Sequence, residues 1–326
     1  MRWGFLVGML LVAATVFGEY RVERLEGMWE SVPTDINDRG EVCGIYQEGE
    51  FDPSMVFIWR PKSGLLLTGD GHEGSPLMDE RGRVFFTGEA DELVIWSEDN
   101  IRSTLYLGLP GAMLKAVNDR DQLVFRRWGG TAEDRVFMVD QGKIKLLGAP
   151  FGHNFDTIRL NNRGEMAATV WEGMGCNPGP GKVRFYQVAT GEAYDLEVAG
   201  DLQLLDLTNT GEWLCLYKSG KSARLLIGSQ CAVIKSFPVS AAYETRGALN
   251  AKHQLCLAHH AFPGSNQFPW SEVVQESELV PIETLIPPGA INRLFLMGLN
   301  AQGQMIGLDY RGFGSHTYLL TPIEED

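Results

Sequence analysis

Seven times in 326 residues the chain writes one short signature: an apolar residue, an Asn-like residue, two free positions, a Gly-like residue, one free position, then two or three apolar residues. It is plainest in INDRGEVCGIY from Ile36, LNNRGEMAATV from Leu160 and LNAQGQMIGLD from Leu299. The Asn-like positions are Asn37, Asp79, Asn118, Asn161, Thr208, Asn250 and Asn300, spaced 42, 39, 43, 47, 42 and 50 residues apart. The Gly-like positions are Gly40, Gly82, Asp121, Gly164, Gly211, His253 and Gly303. A short polar side chain can hydrogen-bond the backbone two residues on, and glycine three places later adopts the left-handed conformation that a tight hairpin needs. Each signature therefore predicts an antiparallel turn.

The rest of the unit recurs with it. One strand precedes the turn and another follows (EVCGIY, QMIGLD). A loop of variable length comes next, then a third strand (MVFIW, ELVIW, RVFMV), a short turn and a fourth strand (LLLTG, IKLLG). Runs such as Val84-Phe85-Phe86 and Leu123-Val124-Phe125 are apolar at consecutive positions, which predicts strands buried on both faces. Four-stranded antiparallel sheets covered on both sides by copies of themselves are propeller blades, so the fold class is all-β, a seven-bladed β-propeller. After Asn300 there is room for only two strands, MIGLDY and HTYLLT, so the last blade lacks its fourth strand, and Tyr20 to Leu25 (YRVERL) is an extended segment with no partner of its own. Placed as the outer strand of blade seven, it completes that blade and closes the ring. A stack of helical repeats is contradicted by 38 Gly, 15 Pro and the period-two patterns.

Residues 1–18 read as a secretory signal peptide: Arg2 precedes the apolar run Trp3 to Phe17, which is short for a bilayer span and ends in residues compatible with cleavage after Gly18. Residues 19–326 then form a single propeller domain, with no stable membrane insertion expected after cleavage. With 28 basic and 42 acidic residues the net charge is −14, which repels a phosphate backbone and argues against a nucleic-acid partner. Five cysteines cannot all pair internally, and no C-x-x-C spacing suggests a thiolate zinc site. Cys43 and Cys256 occupy the repeat position held elsewhere by Phe85, Val124, Ala167, Leu214 and Ile306, and read as small buried hydrophobes. Cys215 and Cys231 read as strand residues, and Cys176, in a Gly/Pro-rich loop, as the exposed one.

The pattern I-N-D-x-G-x-V, a loop, then x-x-F-I-W-x-x-x-x-G-L, seen from Ile36 to Leu67, resembles the bacterial extracellular repeats named for the tripeptide His-Ala-Phe. The likeness is good through units two to four and degraded in five and six, and the tripeptide survives as His316-Thr317-Tyr318. This resemblance implies an exported repeat protein and transfers no catalytic residue. The Trp-Asp dipeptide of WD repeats is absent, and Gly129-Gly130 is the one hint of a kelch diglycine.

Function is sought where the units differ. Loops after the second strand are long and uneven, for example RRWGGTAED from Arg126, WEGMGCNPGPGK from Trp171 and HHAFPGSNQFPWS from His259. They gather Arg126, Trp128, Trp171, His260, Trp270, Tyr310, Arg311 and His316 on one face, and Trp, Tyr and Arg are the residues most enriched at binding hot spots. The expectation is an exported, non-catalytic scaffold that binds a protein or glycan through this face, without a cofactor. The alternative is an exported hydrolase or lyase with its site at the channel mouth. Five histidines (His72, His153, His259, His260, His316) map to the long-loop face but come from blades spread round the ring, and read as scattered surface residues rather than a metal cage. Two residues before each Asn-like position the chain reads Asp35, Leu77, Ala116, Arg159, Asp206, Ala248 and Gly298. These should line the axial channel, with Arg159 and Asp206 paired there because a buried charge without a partner is costly. Ser219-Gly220-Lys221-Ser222 resembles the end of a phosphate loop but lacks the earlier Gly and reads as a strand connection.

Overall fold

A computed structural model describes residues 20–323 apart from 48–53, 70–72, 89–91, 128–135, 149, 153–154, 172–179, 221, 231, 240–243, 261–269, 276–277, 292 and 311–314. Six consecutive blades each hold four antiparallel strands in chain order: β2–β5 (31–67), β6–β9 (73–106), β10–β13 (112–148), β14–β17 (155–195), β18–β21 (201–239) and β22–β25 (244–281). The seventh is built from β26 (Leu294–Leu299), β27 (Met305–Tyr310) and β28 (Ser315–Pro322), and its outer strand is β1 (Tyr20–Trp29). Tyr20 pairs with Pro322, Val22 with Leu320 and Arg24 with Tyr318, so the chain's first strand fastens its last. The expected seven-bladed ring, closed by the amino-terminal strand, is the observed fold.

All seven Gly-like positions have positive φ, from 60° at His253 to 89° at Gly211. Asp121 and His253 accept that conformation at the steric cost glycine avoids. Within the turns, backbone N–H groups at Gly40, Gly164 and Gly303 donate to the carbonyls of Asn37, Asn161 and Asn300 at 3.0 to 3.1 Å. The Asn side chain does the rest: Asn118 Oδ1 accepts from the N–H groups of Arg120 and Gln122 at 3.0 and 3.2 Å.

The core lies between blades. One layer joins Cys43, Val56 and Ile58 of the first blade to Met78, Val84, Phe86 and Val94 of the second. Another joins Leu25, Ile306 and Leu319 of the seventh to Ile36, Val42, Phe57 and Trp59 of the first. Strand β7 (Val84–Thr87) is buried at every position, as its unbroken apolar run predicts. Cys43, Cys215 and Cys256 are free and buried, which agrees with the reading of Cys43 and Cys256 as small hydrophobes, and Cys215 lies within a strand as expected. Cys176 and Cys231 lie outside the described residues. Ser219 and Ser222 end β19 (Glu212–Ser219) and begin β20 (Ser222–Ser229), so the phosphate-loop look-alike is the expected strand connection.

Candidate functional site

Each inner strand runs from the long-loop face to the turn face, and most carry a bulge just before the channel-lining position. The register shifts between Pro33 and Asp35, Leu114 and Ala116, Leu204 and Asp206, and Leu296 and Gly298. A bulge adds a residue and re-aims side chains. Here it turns Thr34, Lys115 and Met297 into the axial cavity, beside all seven residues of the predicted channel column. The cavity holds about 420 Å³. Its rim includes Asp38, Glu80, Asn209, Ala251 and Ala301, the residues that follow the Asn-like positions, so it opens onto the face of the short turns.

That rim is a hydrogen-bonded belt. Backbone N–H groups of one blade donate to the side chain at the equivalent place in the next: Asp38 to Glu80 at 2.6 Å, Glu80 to Asp119 at 2.9 Å, Asp119 to Asn162 at 2.9 Å and Asn162 to Asn209 at 3.0 Å. Ala301 donates to Asp38 at 2.7 Å and carries the belt across the ring closure. A second ladder lies just inside it. Asn118 Nδ2 donates to the Asn161 carbonyl, Asn250 to Asn300 and Asn300 to Asn37, at 2.8 to 2.9 Å. Unit two has Asp79, which cannot donate. There Arg83 stands four residues on, its Nε donating to Asp79 at 2.8 Å and its guanidinium also reaching Asp121 of the next blade.

The predicted Arg159–Asp206 pair is present, with Nε and Oδ1 3.4 Å apart. Its setting is wetter than expected: the Arg159 side chain is 41% exposed, so the pair lines an open channel rather than cancelling two buried charges. Asp206 also accepts the Leu249 N–H at 2.8 Å, and Asp35 accepts the Met78 and Ile36 N–H groups at 2.9 Å. Burial pushes the Asp35 carboxyl up to about 6, against those backbone donors and Arg159, while Asp206 adds to the rise. Burial likewise pushes Glu80 up to about 7. The Lys115 ammonium is shifted down, first by burial and then by Arg126. Among the described residues no three His, Cys, Asp or Glu side chains converge as a metal cage requires.

On the opposite face, Arg126, Trp171, His260, Trp270 and His316 are half-buried at strand ends. Arg126 lies 4.5 Å over the Phe155 ring, and His260 is 4.4 Å from Phe295. Trp270 stacks on His259 at 4.9 Å, and His316 Nδ1 is 3.1 Å from Arg24. Each thus rests on its own blade or the next, round the rim. Tyr310 ends β27, whereas Trp128 and Arg311, with His72 and His153, lie outside the described residues. One reading is corrected: His259 is fully buried, not a surface residue. Its ring joins Thr245 Oγ1 and Glu272 Oε2, both at 3.1 Å. Adjacency to His260 on a strand turns the two rings to opposite faces, and the inward one needs polar partners. Thr245 is only 1% exposed, so this triad-like chain is closed to substrate and braces the blade.

Propellers of known structure share this fold. The chain superposes on a catalytically inactive virginiamycin B lyase from Staphylococcus aureus bound to quinupristin, with a TM-score of 0.61 and 12% identity over 94% of this chain and 100% of that one. It is similar to the β-propeller domain of Cps50 (Swd1) from Myceliophteria thermophila, with a TM-score of 0.58 and 13% identity over 92% and 99%. It also resembles YCF48 bound to D1 peptide, with a TM-score of 0.57 and 11% identity over 95% and 98%. No family model and no curated protein matches the sequence. At such identities the likeness establishes the fold, which serves enzymes and binding proteins alike.

Proposed function

We infer that this chain is an exported binding scaffold of the His-Ala-Phe repeat type that engages a protein or glycan partner through its long-loop face without catalysing a reaction. The observation that supports this most is the contrast between faces. The turn face is tied down by the belt and the Asn ladder, whereas the other carries the length variation and half-exposed Arg126, Trp171, His260, Trp270 and His316. Amphipathic rings and guanidinium groups held against a rigid rim supply contact area with little entropy left to lose. A propeller of similar shape is bound to a peptide, which favours a protein partner. Cleavage after Gly18 would leave β1 whole, so the leader reading and the ring closure agree.

The test uses the mature chain and a triple variant, Trp128→Ala, Trp171→Ala and Arg311→Ala, first shown to melt like the parent. Partners are captured from envelope extract by cross-linking and, in parallel, on glycan and peptide arrays. Loss of these three side chains should weaken capture by about a hundredfold or more. Undiminished capture by the triple variant would refute the loop-face reading.

A further inference from the structure

Every blade ends in an outer strand with no further strand beside it among the described residues. Such an edge is a template for another chain unless something blunts it. Four of these edges are blunted. β5 (Gly64–Leu67) and β17 (Glu192–Asp195) hold four residues each, β25 (Glu278–Pro281) ends in proline, and β21 (Ala232–Val239) carries Pro238 and a bulge. β13 (Lys143–Gly148), the outer strand of the third blade, has no proline, and its bulge lies beyond Leu146, which leaves four regular positions. Gln141 and Gly142, with φ of 49° and 74°, make the two-residue turn that holds it against β12 (Val136–Asp140).

Those four positions sort by chemistry. Ile144 and Leu146 stand opposite Val139 and Phe137, members of the apolar layer shared with the second blade, and are 47% and 57% exposed. Lys143 and Lys145 take the other face of the sheet, opposite Asp140 and Met138. Asp140 accepts from Gln122 Nε2 at 3.3 Å, and neither lysine has an ion pair among the described residues.

We propose that β13 takes up, as a fifth strand of its blade, an extended segment of a partner protein in which acidic and apolar residues alternate. Residues directly opposite one another share a face of the sheet, so the acids meet Lys143 and Lys145 while the apolar residues cover Ile144 and Leu146. Main-chain hydrogen bonds supply affinity, and the two alternating rows supply specificity. Charge complementarity chooses the occupant. The chain has 42 acidic residues against 28 basic, so this basic row is a local exception. A second copy of β13 would set lysine against lysine or against an apolar side chain, which disfavours self-pairing. An acidic segment meets neither penalty. The edge lies on the outer wall of the ring and is independent of the loop face.

The test uses the full chain and the capped peptide acetyl-Gly-Val-Glu-Val-Glu-Val-Gly-amide, with binding read by NMR titration and by amide hydrogen exchange. A permuted peptide, Gly-Val-Val-Glu-Glu-Val-Gly, keeps the composition and breaks the alternation, and Gly-Val-Lys-Val-Lys-Val-Gly reverses the charge. The alternating acidic peptide should bind and slow exchange of the β13 amides. The permuted peptide should bind about tenfold or more weaker, and the lysine peptide weaker still. The double variant Lys143→Glu and Lys145→Glu changes only exposed positions and should reverse the preference, losing the acidic peptide and gaining the lysine one. The exchange footprint is read on the parent chain and stands without the variant. The proposal is overturned if the acidic peptide does not bind below about 1 mM, if permutation or charge reversal leaves affinity unchanged, or if the slowed amides lie elsewhere than on β13.

Discussion

Asn300 makes with Asn37 the contact that Asn118 makes with Asn161, across a sequence separation of 263 in one case and 43 in the other. One side chain thus does three jobs: its oxygen takes two N–H groups of its own turn, and its nitrogen holds the neighbouring blade. Buried polar atoms left without partners are costly, so the position tolerates little. Asn118→Asp keeps the two acceptors but sets a carboxylate against the Asn161 carbonyl. It should destabilise the fold by about 2 kcal/mol in chemical denaturation. Adding Gln122→Arg copies the Asp79–Arg83 arrangement of unit two and should recover part of that loss. If the double variant is no more stable than the single one, the ladder does not work through donation at this atom.

At the level of the strand, β1 closes the ring because β28 would otherwise present an unpaired edge, and Leu25 seals the core beside Ile306 and Leu319. A chain beginning at Ser31 should melt markedly lower and self-associate, and a synthetic peptide of residues 19–29 should restore the monomer and raise the melting temperature. Unchanged melting of the shortened chain would contradict the role given to β1. This closure was legible in the sequence because its signals are local: YRVERL lacks a partner, and the final unit lacks a strand. The channel column was legible too, since its place is counted from the turn; Asp35, Arg159 and Asp206 all line the cavity, and two of them pair. The acidic rim was not. In the repeat, Asp38, Glu80 and Asp119 occupy a free position, and their partners lie in the next blade, 42, 39 and 43 residues on. Nothing local marks such a register. Lys115 was hidden for a similar reason, because the β10 bulge that turns it inward leaves no mark in the alternation of side chains. The buried Thr245–His259–Glu272 brace was missed because the loop context of His259 read as surface.

Across the whole molecule, three free thiols sample the ring at separate points: Cys43 in the first blade, Cys215 in the fifth and Cys256 in the sixth. Burial pushes all three upward, Cys256 to about 12, so none offers a thiolate to solvent in the folded state. If the blades open together, mass-resolved labelling in mild denaturant should find these thiols reacting with one common free energy, and none reacting in its absence. A thiol that labels at much lower denaturant would show that its blade frays alone. The Asn ladder bears on how such a molecule can change over generations. At four junctions its donors point the same way round, from Asn37 to Asp79, Asn118 to Asn161, Asn250 to Asn300 and Asn300 to Asn37, an asymmetric surface meeting its own complement in a heterologous contact. Gain or loss of a unit would alter the rotation between neighbours at every junction simultaneously, whereas insertions on the far side alter it at none. Novelty can therefore accumulate in the loops by small steps, while the number of sheets is held by the contacts between neighbouring blades.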